Sequence, residues 1–419
     1  METSLSESVQ QLVRPGKCVD AYYPDPETAQ KACFRTTQNT RYIQAFANLT
    51  GGSSVLTIPA NNGVQDIVVI MEFPAPQAPA TYAGLGLNRG WGYALIKQVS
   101  FRYGGSSQYF LTGQQLLQNA LRQMSNGSAR DDLLALGGAA SSAPTAAQRA
   151  YCWLSLPHCI PTSEGKLPPL PSDLLTQPIQ ITIELFPVGS VWSAAAGATG
   201  TIPSSLSFAE FQVQQVILEN QGDALARRVD MTTNALSFPV NFVQQEVLIP
   251  LANSVSQQVT LTGFRSGEVK SIQCWITKGS DTSGAVKNPF RWYAPEDAVM
   301  SYAGEIYARF DKGSGALWNL VNGRITPVVQ DVLLTDVAGV ISITTPSVDA
   351  WLELPFGQTY DPLTAHSFYM AGKPITNGIV QFTFNLPAAA SPAADYVLHV
   401  SYCYNSVLTF SQGTAEYVI

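Results

Sequence analysis

Cys152, His158 and Cys159 stand close together and are the densest group of soft metal ligands in the chain. A structural zinc site takes four ligands. No fourth ligand is spaced to join these three, so the cysteines read as buried thiols on a strand. The other histidines, His366 and His399, belong to no HxH or HExxH pair, so a cupin-type metal centre lacks its ligands. Glu184, Glu246 and Glu353 sit on strand-like segments. Paired carboxylates carry out glycoside hydrolysis; a solvated sheet face is the plainer reading. The stretch Gly84 to Gly90, GLGLNRG, has the form GxGxxxG. It departs from the dinucleotide fingerprint, no βαβ unit surrounds it, and a turn is expected. No GxxxxGK[ST] loop and no GxSxG elbow occurs. Trp91, Trp153, Trp275, Trp292 and Trp351 fall at strand ends. They would suit a sugar-binding platform if exposed together, and core or interface packing otherwise. The expectation is therefore no catalytic residue, no cofactor-binding residue and no metal ligand.

The elements around these residues are mostly short strands punctuated by Gly, Pro, Asn and Ser. Ile179 to Phe186 (IQITIELF) alternates, with Ile179, Ile181, Ile183 and Leu185 on one face. Val64 to Phe73, Leu95 to Tyr103, Phe211 to Leu218, Val243 to Leu251, Val269 to Thr277, Gly304 to Phe310, Gly339 to Thr344, Gly378 to Phe384 and Tyr396 to Tyr404 follow similar rhythms. Period-two runs bounded by turn residues mark a sandwich or barrel. Thr112 to Met124 (TGQQLLQNALRQM) predicts a helix: Thr112 can cap it, and Leu116, Leu117, Ala120, Leu121 and Met124 form one stripe. The halves echo weakly, VSFRYGG from Val99 against IYARFDKG from Ile306, each running into a helical stretch, Ala316 to Val321 in the second case.

Composition bounds the function. Charged residues are 13% of the 419, about half the usual quarter. Apolar content is ordinary at 46%, so the chain folds, while its low charge favours association. Net charge is −7 and the 23 Lys and Arg are scattered. Direct nucleic-acid binding, which rests on clustered cations, is not expected. The six cysteines suggest no disulfide framework. Met1 to Ser4 carries no secretion signal, so synthesis in a host cytoplasm with free thiols is the expectation.

The order of segments resembles the double jelly-roll major capsid proteins of the nucleocytoplasmic large DNA virus and adenovirus-type lineage. Gly90 to Met124 is similar to that family's first-domain strand, Gly-Gly turn and helix. Ala32 to Asn48 resembles its opening segment, and Val213 to Arg228 the strand and charged turn that close the first sandwich. Tyr396 to Ile419 resembles its ending, most sharply at Tyr404-Asn405-Ser406-Val407-Leu408. The family's "N-F-S-R-I-D" signature is eroded here to Gln381-Phe382-Thr383-Phe384-Asn385, without its Arg.

The resemblance implies an all-β fold of two consecutive eight-stranded jelly-roll sandwiches with short helices in loops. The expected divisions are an N-terminal arm at 1–30, a first roll at 31–225 and a second at 226–419. Ile181, Ile183, Val213 and Val400 should be buried. It further implies a non-enzymatic structural protein of a virion capsid. Homotrimers would form pseudo-hexagonal capsomers of an icosahedral DNA virus shell. Partners would be neighbouring capsomers, minor capsid or penton proteins, and an internal membrane or its proteins. Three alternatives stay open: a minor capsid protein of the same fold, a carbohydrate-binding sandwich (lectin or spike), and a β-sandwich glycoside hydrolase using two of the glutamates.

Overall fold

The computed structural model describes residues 37–60, 63–78, 81–104, 108–123, 127–154, 170, 172–218, 236–243, 246–264, 268–285, 287, 289–293, 297–311, 334–335, 340–341, 351–355, 373–375, 379–386 and 395–418. The eight strands that build the two sheets of the first roll are β1 (Thr37–Ala45), β2 (Gly52–Ile58), β3 (Gly63–Phe73), β4 (Ile96–Arg102), β5 (Gln108–Thr112), β6 (Gln148–Leu154), β7 (Ile179–Leu185) and β8 (Phe208–Leu218). They form two four-stranded antiparallel sheets, ordered β1-β8-β3-β6 and β2-β7-β4-β5. Successive strands mostly alternate between sheets, which is the jelly-roll weave. Alternation builds the core: β7 buries Ile179, Ile181, Ile183 and Leu185 and leaves Gln180 exposed. Each such buried aliphatic side chain contributes roughly 1.5–3 kcal/mol relative to exposure.

The pattern then repeats. The later strands are β9 (Leu236–Val243), β10 (Val247–Pro250), β11 (Ser256–Leu261), β12 (Glu268–Lys278), β13 (Asp297–Tyr302), β14 (Glu305–Asp311), β15 (Trp351–Pro355), β16 (Val380–Asn385), β17 (Tyr396–Ser411) and β18 (Thr414–Val418). One sheet is ordered β9-β17-β12-β15, with β10 and β18 also on β17; the other is ordered β11-β16-β13-β14. Together β9 and β10 hold the place that β1 holds earlier. The chain is thus a double jelly roll. The expected boundary at 225/226 lies outside the described residues. Ile181, Ile183, Val213 and Val400 are all fully buried.

In the first roll β1 runs antiparallel to β8, with Thr37 opposite Leu218. In the second, Leu236 lies opposite Phe410. Each roll is therefore entered and left at one end. The long connections 74–95, 113–147 and 186–207 all leave the first roll at the other end.

Three helices lie in these connections: α1 (Trp91–Leu95), α2 (Gly113–Gln123) and α3 (Gly127–Leu136). Thr112 Oγ1 accepts from Gln115 N at 3.3 Å, and Gln115 Oε1 accepts from Thr112 N at 2.9 Å. This reciprocal capping box starts α2, which buries Leu116, Leu117, Ala120 and Leu121.

Some expectations change. Leu85–Leu87 of the GLGLNRG stretch is a short strand, flanked by Gly84 and Gly90 in the left-handed region. Of Gly339 to Thr344, Val340–Ile341 is strand and the other positions lie outside the described residues. The echo is displaced by one strand. By sheet position β4, which contains Val99, matches β13, whereas Ile306 lies on β14, the counterpart of β5. The Ala316 to Val321 stretch lies outside the described residues.

Candidate functional site

Helix α2 belongs to the first roll but seats on the second. Gln115 Nε2 donates to Ser401 Oγ at 2.7 Å. Gln114 Oε1 accepts from Trp275 Nε1 at 2.6 Å and from Trp292 Nε1 at 3.3 Å, and its Nε2 donates to the Pro289 carbonyl at 3.3 Å. Trp275 lies on β12 and Ser401 on β17. On those strands Ile272, Cys274, Ile276, Leu398, Val400 and Tyr402 alternate with them in register and fill the roll's own interior. Ser401, Trp275 and Gln273 therefore point the other way, yet all are at most 3% exposed. The sheet is covered on both faces, which suits near-continuous rather than half-buried strands.

Two further contacts fix the seam. The Asn88 amide and Ser193 Oγ both donate to the Lys287 carbonyl, and Ser193 Oγ accepts from Lys287 N at 2.7 Å. Thr176 donates its N–H and hydroxyl to the Gly413 carbonyl, at 2.9 and 3.1 Å. Gly413 follows Gln412, and both have positive φ, 50° and 78°. They turn β17 into β18 in the two-residue geometry that fits strand twist. Each of these groups meets a partner across the seam and so holds the rolls in one relation, where an unmatched buried polar group would cost about 1–3 kcal/mol.

A second arrangement joins strands of the second roll. Glu246 Oε1 pairs with His399 Nδ1, and His399 Nε2 lies 2.6 Å from Thr277 Oγ1. The Trp275 ring stacks on the imidazole at 5.2 Å. Carboxylate, imidazole and hydroxyl in a row is the order that activates a hydrolytic nucleophile. Here, however, Thr277 lies within a continuous ladder, opposite Val397. A nucleophile elbow instead exposes its hydroxyl on a sharp strand-to-helix turn. The row acts as a tie across β10, β17 and β12.

The residues singled out from sequence are dispersed. Cys152 is fully buried on β6, and desolvation raises its thiol well above the ordinary value. His158, Cys159 and His366 lie outside the described residues. Glu184 is exposed on β7 and pairs with Lys97 at 2.7 Å. Glu246 departs from the solvated-face reading: its side chain is 9% exposed because it holds His399. Glu353 pairs by register with Gln273. Glu184 is in the first roll and the other two are in the second. Trp91, Trp275 and Trp292 are buried, while Trp153 is half-buried and donates to Asp66 Oδ1 at 3.0 Å. Burial raises the Asp66 carboxyl, and this hydrogen bond partly offsets it. Among the described residues no group of three His, Cys, Asp or Glu could hold a metal.

The seam glutamines were missed from sequence, since a glutamine on a predicted helix reads as solvent-facing. The signal available was the pair Gln114-Gln115 directly after the Thr112 cap, beside the helix's apolar stripe.

No family model and no curated protein matches the chain. Solved structures do match. PBCV-1 VP54, fitted into a reconstruction of the virophage Sputnik, is 14% identical with a TM-score of 0.60; the match covers 93% of this chain and 98% of that one. The mavirus major capsid protein is 11% identical at 0.53, covering 97% and 95%. The Faustovirus major capsid protein is 10% identical at 0.52, covering 94% and 92%. The shared property is the fold: two jelly rolls in tandem across nearly the whole length.

Proposed function

We propose that this chain is a structural capsid protein, a building block of an icosahedral DNA virus shell, and that it has no enzymatic role. The observation that carries this reading is the tandem repetition of one strand order, with the two rolls clamped by the seam of Gln114, Gln115, Trp275 and Ser401. A subunit with two similar rolls in a fixed relation lets three copies present six similar corners. Such a homotrimer tiles a roughly hexagonal lattice through closed three-fold contacts. The structural neighbours named above include major capsid proteins, and the likeness in fold extends over nearly the whole of this chain.

In this reading residues 31–225 and 226–419 are the two units, and residues 1–30 form an arm reaching beyond them. Neighbouring capsomers, minor capsid or penton proteins, and an internal membrane or its proteins are the partners. The virion capsid is the final location, after synthesis in the host cytoplasm. Scattered cations at a net charge of −7 argue against direct genome contact. The lectin alternative needs several tryptophans exposed together, whereas Trp91, Trp275 and Trp292 are interior.

Light scattering on the purified protein, followed by electron microscopy of assembled material, tests the proposal. A trimer at micromolar concentration that packs into hexagonal arrays is expected. A protein that stays monomeric under all conditions would sink it. Removing residues 1–30 should leave the trimer intact and weaken shell attachment. Copy number in purified particles separates the major from the minor capsid role.

A further inference from the structure

The chain that leaves β12, residues 279–293, crosses from the second roll onto the first. Ala194 N donates to the Ala285 carbonyl at 2.7 Å. The Lys287 carbonyl accepts from the Asn88 amide and Ser193 Oγ. The Pro289 carbonyl and the Trp292 indole both meet Gln114. The turn Gly279–Ser283 packs on Val188–Val191. This strap is stapled at its root. The Tyr293 hydroxyl donates to Asp281 Oδ2 at 2.7 Å and so joins the last residue of the strap to its third. Tyr293 N also donates to the Ile276 carbonyl at 2.9 Å. Asp395, just ahead of β17, accepts from Ser280 N at 2.6 Å on its side chain and from Gly279 N at 3.0 Å on its carbonyl.

Asp281 is poorly placed to keep its charge. Its side chain is 15% exposed, and Arg291 stands 3.7 Å away with 29% of its own side chain in water. An ion pair that long and that wet adds little. The Lys278 ammonium lies over the Tyr396 ring at 5.6 Å, and Tyr396 meets Tyr293 edge-on. Asp395 brings a second negative charge towards Asp281. Residues 188–191, Val-Gly-Ser-Val, carry no titratable group. Desolvation outweighs the Tyr293 bond, Arg291 and Lys278, and holds the Asp281 carboxyl above its ordinary value. The staple survives protonation, because a neutral carboxyl keeps an oxygen that accepts from Tyr293.

We propose that this strap is a proton-linked clasp between the two rolls: Asp281 takes up a proton as the strap closes, so acid tightens the seam and rising pH loosens it. The clasp concerns one chain alone and does not depend on the assembly proposed above. Its sign follows from linkage. With the carboxyl raised in the closed strap and ordinary in the open one, the contribution to closure is fully present below 3.8. It is lost as pH climbs through the raised value.

Hydrogen exchange read by mass spectrometry tests this on the full chain from pH 4 to 7, corrected for intrinsic exchange. Peptides across 279–293 report opening of the strap, and peptides from β7 report unfolding of the whole. The variants are Asp281→Asn, which keeps the acceptor and cannot ionise, and Tyr293→Phe, which removes the staple. Wild-type strap protection should fall about threefold or more between pH 4 and 7, while Asp281→Asn holds its pH 4 level throughout. Tyr293→Phe should lower protection at every pH. Wild-type protection that tracks Asp281→Asn at every pH overturns the proton linkage. Protection that rises towards pH 7 overturns its sign and ranks the Arg291 pair above desolvation. A Tyr293→Phe strap as protected as wild type overturns the staple. If Tyr293→Phe loses protection in β7 as well, wild type against Asp281→Asn still decides.

Discussion

Gln114 and Trp275 meet across the seam, the glutamine oxygen 2.6 Å from the indole nitrogen although 161 positions separate them. The same oxygen accepts from Trp292. Gln114→Leu removes an acceptor that two buried indoles share and should cost about 1–3 kcal/mol. Denaturant unfolding of wild type, Gln114→Leu, Trp275→Phe and the double variant measures it. Single costs that simply add would show that the pair is not coupled.

Gly138 has a φ of 127°, and a Cβ there would fall 2.5 Å from the Trp91 ring. Gly138→Ala combines backbone strain with overlap against a buried indole. It should lower stability by about 1–3 kcal/mol, read as a fall in melting temperature. Gly197 also has positive φ but open space around it, so Gly197→Ala should cost less.

Burial raises the thiols of Cys152 and Cys274 and the phenol of Tyr93 above their ordinary values. The unfolded chain therefore loses these protons first as pH climbs through about 8.5 to 10. It then binds fewer protons than the folded chain, so stability present at neutral pH declines in alkali. Denaturant midpoints at pH 7, 9 and 10 should fall in that order. A flat profile would contradict the assigned burial. In the native state these thiols should also react slowly with a thiol reagent.

Gln44 on β1 uses its side-chain amide as a strand partner. Its Nε2 donates to the Val55 carbonyl at 2.7 Å, and its oxygen accepts from Thr57 N at 3.2 Å. Both groups lie on the edge strand β2. Gln44→Ala should cost little stability, roughly 0.5 kcal/mol for an exposed pair of bonds. It should nonetheless speed aggregation on heating, because an open edge recruits other chains. Turbidity against time at a fixed temperature checks this.

Much of the strand pattern was legible because one side of each sheet faces a core. Ile179 to Leu185 shows the alternation in its residue types alone. Two of the strands without a clear signal are polar: Thr37–Ala45 has none of its described residues from Thr40 to Ala45 buried, and Ser256–Leu261 turns Gln257, Val259 and Leu261 inward between Ser, Gln and Thr. The helix Gly113–Gln123 was read from its stripe and cap. Its role was not, since a glutamine that bonds across the molecule looks like any surface glutamine. His399 with Glu246 was invisible for the same reason, the two lying 153 positions apart.

Thr37 opposite Leu218 and Leu236 opposite Phe410 have one more implication. A module whose two chain ends emerge side by side can be copied head to tail without rerouting any strand. Residue 218 could be joined to residue 37 by a short peptide, and new ends opened in a loop at the far tip, giving a circular permutant of the first unit. The far end is the committed one instead: its connections carry Asn88, Gln114, Gln115 and Ser193 onto the second unit, so a permutant would keep that seam only if its new ends avoid those residues.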